Sequence, residues 1–153
     1  MVFGGSDWSG AEHIHRAIRE SPFARDIRSL GFVPNSMLPT LYRAASIFVY
    51  PSLYEGFGIP VLEAMSAGVP VLCSNATSIP EVGGDAVLYF DPRKPTEIVN
   101  ALTRLSGEPG LRKSLIQKGL ERAPSFEDAD RMALQYTDVF VKALLPHANG
   151  GRA

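Results

Sequence analysis

The sequence predicts an α/β protein built on a doubly wound parallel sheet, and three observations lead there. Short apolar runs rich in β-branched and aromatic residues alternate along the chain with longer helical segments, as strands alternate with crossover helices in such sheets. One run, Ile47-Phe-Val-Tyr50, is apolar at every position, as a strand buried in the sheet would be. The composition is that of a globular domain: of 153 residues, 45% are hydrophobic and 20% charged, which suffices for one substantial core.

Taken in order, Val2-Phe3-Gly4-Gly5 reads as the tail of a strand, followed by a turn and a helix over 9–20. The next strand falls at 27–32. A helix over 36–45 takes Ser36 as its N-cap and tolerates Pro39 in its first turn. It leads into the strand 47–50, which Pro51 ends. Pro60 suits the first position of a helix that runs to about 67, where Gly68 stops it, and Pro70 leads a strand at 71–74. A short helical turn at 79–82 precedes a strand at 86–90, and Asp91-Pro92 opens helices over 96–106, 111–122 and 126–145. Residues 1–145 are thus expected to form one domain, with 146–153 a disordered tail.

The segment Glu55-Gly-Phe-Gly-Ile-Pro-Val-Leu-Glu63-Ala64 carries the chemistry. It sets two carboxylates eight positions apart across a glycine turn and a helix start. Gly56 and Gly58 lack a Cβ, so backbone there can approach a bound molecule and φ > 0 is available. The N–H groups of Val61, Leu62 and Glu63 and the positive helix end would attract phosphate. Glu55 and Glu63 flank that point. As carboxylates they accept hydrogen bonds, so hydroxyls are their expected partners. A ligand with a central diphosphate and hydroxyl-bearing rings on either side, a nucleotide sugar, satisfies both requirements.

Here the residues match a known pattern. Gly31-Phe-Val-Pro34, Leu41-Tyr42-x-x-Ala45, Tyr50-Pro-Ser-Leu-Tyr-Glu-Gly-Phe-Gly58, Glu63-Ala-Met-x-Ala-Gly68-x-Pro70-Val71 and Ile79-Pro-Glu-Val82 resemble the retaining glycosyltransferases of family 4, the group 1 enzymes. The resemblance implies a Rossmann-like domain, the C-terminal, donor-binding half of a GT-B fold, here without its first strand and helix. It implies that Glu55 is catalytic, touching the transferred sugar, and that Glu63 holds the ribose hydroxyls. The implied donor-binding set is Gly5, Val33, Glu55, Gly56, Phe57, Gly58, Ile59, Pro60, Val61 and Glu63. The implied function is transfer of a sugar of the mannose or glucose type from GDP-mannose or a UDP-sugar to an acceptor hydroxyl, independent of metal and without a cofactor. Mannosyltransferases that build cell-surface polysaccharides are the members this chain looks most like. A non-catalytic nucleotide-sugar-binding module and a GT-B-fold sugar-nucleotide epimerase are the alternatives. The basic residues that neutralise the diphosphate and the N-terminal acceptor domain are expected to lie outside this chain, which alone should transfer nothing. The helix over 126–145 resembles the one that crosses back onto that domain, leaving Met132, Leu134, Val139, Phe140 and Leu144 partly uncovered.

Plainer readings stand beside these. Glu63 could be a first-turn carboxylate favoured by the helix dipole, Glu55 a solvated loop charge, and Phe57 a ring packed on the core. Gly4-Gly5 could be a simple turn and Val33 an apolar wall. Cys73 reads as an inert core thiol. His13 and His15 fall on different faces of their helix, and Asp128-Ala-Asp130 lies within a helix, so neither reads as a metal site. A formal net charge of −1 gives no basic field for nucleic acid or an acidic membrane surface. A single cysteine and the lack of a signal pattern or long apolar run lead to an expected cytoplasmic location, with membrane association possible only through the absent domain.

Overall fold

The computed structural model describes residues 1–7, 10–126, 137, 138 and 141, and its contacts fall into two compact units, Met1–Ala44 and Ala45–Ala153. In the first unit, β1 (Val2–Phe3) and β2 (Arg28–Ser29) pair in parallel with Val2 opposite Arg28. Helix α1 (Glu12–Glu20) links them, and α2 (Leu38–Ala44) closes the unit. The strand expected over 27–32 is thus shorter, because Gly31 turns to φ +62 and ends the extended run. Ser36 does not cap α2. Pro34 opens a 3-10 turn over Asn35–Met37, which takes up Ser36 as its middle residue and delays the helix to Leu38.

The second unit is a parallel sheet of β3 (Phe48–Tyr50), β4 (Val71–Ser74) and β5 (Leu88–Phe90), in that order, with Tyr50, Cys73 and Tyr89 in register. The α/β class and the parallel pairing expected from the sequence are what the chain adopts. Helix α3 (Ile59–Ser66) carries the chain from β3 to β4, and α4 (Ile79–Gly83) from β4 to β5. α5 (Pro95–Gly107) and α6 (Pro109–Arg122) follow, then a 3-10 turn over Ala123–Phe126. Of the expected helix 126–145, Thr137, Asp138 and Val141 are helical and exposed; Met132, Leu134, Val139, Phe140 and Leu144, with the tail 146–153, lie outside the described residues.

All four residues of β4 are buried, which is why the sequence there is apolar without alternation. Leu72 and Phe90 enter a core with Ala101 and Leu105 of α5 and Leu115 of α6. Val71 and Cys73 project to the other face by strand alternation, and α3 packs against both β3 and β4. Helix α3 ends in a Schellman arrangement: the Gly68 N–H donates to Met65 O at 3.0 Å and the Val69 N–H to Ala64 O at 3.1 Å. Burial pushes the Cys73 thiol up to about 12, so it remains a neutral apolar filler.

The end of α4 is packed to the point where only glycine fits. A Cβ on Gly83 would stand 2.5 Å from the Tyr89 hydroxyl and 2.6 Å from Val87 Cγ2, both side chains of the following strand region. Gly83→Ala should therefore destabilise the protein by about 2–3 kcal/mol, since overpacking outweighs the gain of about 1 kcal/mol in helix propensity. Urea denaturation of the two proteins checks this; an Ala variant as stable as the parent would show that Tyr89 and Val87 are free to move.

Candidate functional site

The loop between β3 and α3 leaves the sheet at Tyr50 and runs to Gly58. Its central residue, Glu55, is fixed at both side chain and main chain. Glu55 Oε1 accepts hydrogen bonds from the Tyr50 hydroxyl at 2.5 Å and from Ser52 Oγ at 2.8 Å. Its N–H donates to Thr77 Oγ1 at 3.0 Å, and its carbonyl oxygen accepts from Thr77 Oγ1 and Ser78 Oγ, each at 3.0 Å. Glu55 is half-buried rather than a solvated loop charge. Burial raises the Tyr50 pKa above its ordinary range, and the hydrogen bond to Glu55 and its charge raise it further. Tyr50 therefore stays protonated as the donor.

Gly58 is the N-cap of α3 and sits at φ +97, the left-handed region expected for this turn. Gly56 differs. Its φ lies outside that region, and an added Cβ would meet nothing within 4 Å. The helix starts one residue earlier than the proline suggests, so Pro60 is its second residue and Glu63 belongs to the second turn, not the first. With the start shifted, the Val61 N–H donates to Gly58 O at 3.0 Å and the Leu62 N–H to the same oxygen at 3.4 Å. The donors with no backbone acceptor among the described residues move forward to Gly58 and Ile59. Ile59 is exposed, while Val61 is fully buried. Glu63 is half-buried on the same helix.

Phe57 packs edge-on against Phe126, with ring centroids 6.0 Å apart. Arg122 lies over the Phe126 ring at 5.4 Å and donates to the carbonyls of Glu81 and Val82 at 2.6 and 2.7 Å. The ring is thus a support for the loop. Gly5 and Val33 belong to the first unit. There the Gly5 N–H donates to Gly31 O at 2.8 Å, and Val33 Cγ2 stands 3.3 Å from the place a Cβ on Gly4 would take, so the two loops adjoin. His15 Nε2 contacts Asp7 Oδ2 at 2.9 Å. Among the described residues no three His, Cys, Asp or Glu side chains converge on a metal-sized space, and no helix is long and apolar enough to cross a membrane.

Sequence reasoning did not single out Ser52, Thr77, Ser78, Arg122 or Phe126. The signal available was Asn75-Ala-Thr-Ser78 ahead of Ile79-Pro80: a hydroxyl pair before a helix start reads as a cap, yet neither side chain caps α4.

The sequence profile of the family described as "Glycosyl transferases group 1" matches residues 1–122. The O-antigen chain mannosyltransferase B of Escherichia coli is 52% identical over 100 residues, 65% of this chain and 26% of that protein. The chain therefore spans about a quarter of this relative's length. Among solved structures, sucrose-phosphate synthase from Thermosynechococcus elongatus superposes with a TM-score of 0.79 at 27% identity, covering 93% of this chain and 38% of that one. The C-terminal domain of a group 1 glycosyl transferase family protein from Francisella tularensis has a TM-score of 0.61 at 25% identity, covering 81% and 83%.

The two loop glycines should respond differently to alanine. Gly58→Ala forces a side chain into a left-handed N-cap and should cost about 1–2 kcal/mol of stability. Gly56→Ala should change stability by less than about 0.5 kcal/mol. Thermal unfolding of both variants separates the two; equal losses would mean that Gly56 is held by the fold as well.

Proposed function

This chain belongs to the group 1 glycosyl transferases, and from that premise we propose that it is the part of a retaining hexosyltransferase that binds a nucleoside diphosphate sugar. One observation carries the reading: an added Cβ on Gly56 would meet nothing within 4 Å beside the anchored Glu55, which leaves the backbone of this turn open to a ligand. Around that space stand groups suited to the parts of such a donor. Glu55 offers a carboxylate to sugar hydroxyls and is the catalytic residue of the proposal. Glu63 accepts from the ribose hydroxyls. The N–H groups of Gly58 and Ile59, with the positive end of α3, face the diphosphate. Pro60 and Val61 keep that helix start in place, and Phe57 lends mainly backbone.

In the transfer, the bond from the anomeric carbon to the diphosphate oxygen breaks and the bonding pair leaves with the diphosphate. The acceptor oxygen bonds to the same face of that carbon and passes its proton to the departing diphosphate oxygen, so configuration is retained. The protein acts by positioning and by stabilising the leaving diphosphate. The similarity to a mannosyltransferase favours mannose as the sugar and GDP-mannose as the first donor to try, with UDP-sugars second. Because the chain spans about a quarter of that relative, acceptor binding and turnover are assigned to the rest of such a protein, with this chain alone binding donor without transfer. A single cysteine, which can form no internal disulfide, accords with a cytoplasmic location.

Calorimetric titration with GDP, UDP, GDP-mannose and UDP-glucose tests the assignment. Glu63→Ala should weaken binding of the nucleoside diphosphate about tenfold or more, because hydrogen bonds to a charged acceptor are worth about 1.5–3 kcal/mol. Gly56→Ala should lose donor affinity while keeping its stability. Unchanged nucleoside diphosphate affinity in Glu63→Ala would remove the ribose assignment, and failure of all four ligands to bind the parent would remove the donor-binding reading.

A further inference from the structure

Thr77 is the one non-glycine residue with positive φ among the described residues, at +49. A β-branched side chain is poorly suited to that region, and a residue held there against its preference is a pointer to function. What the conformation achieves is specific. It turns the Thr77 hydroxyl onto the main chain of Glu55, 22 residues earlier, where one oxygen both accepts from the N–H and donates to the carbonyl oxygen. Ser78 adds a second donor to that carbonyl. No backbone-to-backbone hydrogen bond joins these two segments among the described residues, so the hydroxyls alone hold them in hydrogen-bonded register. The platform behind them is firm, because Arg122 ties the carbonyls of Glu81 and Val82, three to four residues after Ser78, to the end of α6.

The side chain of Glu55 is held from a different direction. Tyr50 and Ser52 both donate to Oε1. With the main chain and one carboxylate oxygen fixed, the torsions that could swing the carboxylate are used up. Oε2 takes no hydrogen bond from the described residues and remains the oxygen with capacity for a ligand.

We propose that Thr77 and Ser78, with Tyr50 and Ser52, are positioning residues that hold Glu55 so that Oε2 meets a hydroxyl of the donor sugar. The inference rests on the reading of Glu55 as the sugar contact and goes beyond it in naming what makes that contact selective. Hydroxyls rather than charges do the holding, which leaves the Glu55 carboxylate without a cationic partner among the described residues that would compete with a sugar hydroxyl.

The test compares GDP-mannose with GDP, and UDP-glucose with UDP, by saturation-transfer NMR, which reads complexes as weak as millimolar. The ratio of the two affinities in the pair that binds isolates the sugar's contribution. Glu55→Ala should shift that ratio about tenfold. Thr77→Gly removes the hydroxyl and the left-handed penalty together, which keeps the fold near its parent stability, and should shift the ratio in the same direction by about threefold or more. Thr77→Ser should restore it, and Tyr50→Phe, which preserves shape, should act like Thr77→Gly. Affinity for the nucleoside diphosphate alone should stay within about twofold throughout. If Glu55→Ala shifts the ratio and neither Thr77→Gly nor Tyr50→Phe does, the positioning role is wrong while the sugar contact stands. If Glu55→Ala leaves the ratio unchanged, the sugar contact itself is wrong. Loss of nucleoside diphosphate and sugar donor affinity together in Thr77→Gly and Tyr50→Phe would reduce both residues to structural ones, and no binding of any probe to the parent would overturn both readings.

Discussion

β4 pairs in parallel with β3 on one side and β5 on the other, and all four of its residues are buried. Because the strands run the same way, the segments after β3 and after β4 leave the sheet from the same edge. The register that sets Tyr50 beside Cys73 then brings the loop 51–58 and the segment 75–78 to the same level. Only so can Thr77 and Ser78 reach the backbone of Glu55. A one-residue slip of β4 would turn Cys73 toward the opposite face and carry Thr77 out of reach of its partner.

The loop is held by a closed chain of contacts. Glu55 joins Thr77 and Ser78; those residues lead into α4; the carbonyls of α4 are taken by Arg122; Arg122 lies on Phe126; and Phe126 meets Phe57, two residues beyond Glu55. Each link is modest, a hydrogen bond worth about 1 kcal/mol or an aromatic contact of similar size. Their arrangement in a ring means that breaking one leaves the loop still tied on the other side. This gives the loop the rigidity that a helix or strand would otherwise supply.

What the sequence made legible followed local rules. The apolar run at 47–50, the buried strand 71–74, Gly68 as a helix stop and Gly58 as a left-handed position each depend on a few neighbouring residues, and each lies where expected. The start of α3 was misplaced by one residue because proline is tolerated at more than one position of the first turn, and that shift moved the available N–H donors from Val61, Leu62 and Glu63 to Gly58 and Ile59. The short pairing of β1 with β2 and the 3-10 turn at 35–37 were hidden because Gly31 and Pro34 act through backbone geometry that leaves the hydropathy pattern unchanged. The Thr77 clamp and the Phe57–Phe126 contact were out of reach of sequence reasoning, since both depend on which distant segments the sheet brings together.

The Arg122 hydrogen bonds join residues 40 and 41 positions apart, and the Thr77 bonds span 22. On a chain emerging from the ribosome, the loop around Glu55 appears long before the residues that hold it. Beyond local hydrogen bonds such as those from Tyr50 and Ser52 to Glu55, it has no partner among the described residues until β4 and the segment after it are out, and the outer tie waits for the end of α6. The loop is thus among the last parts of the unit to settle, after closure of a long contour of chain whose entropy cost comes before its contacts form. Glycine-rich and exposed in the meantime, the stretch from Glu55 to Gly58 gains its shape from chain made later than itself.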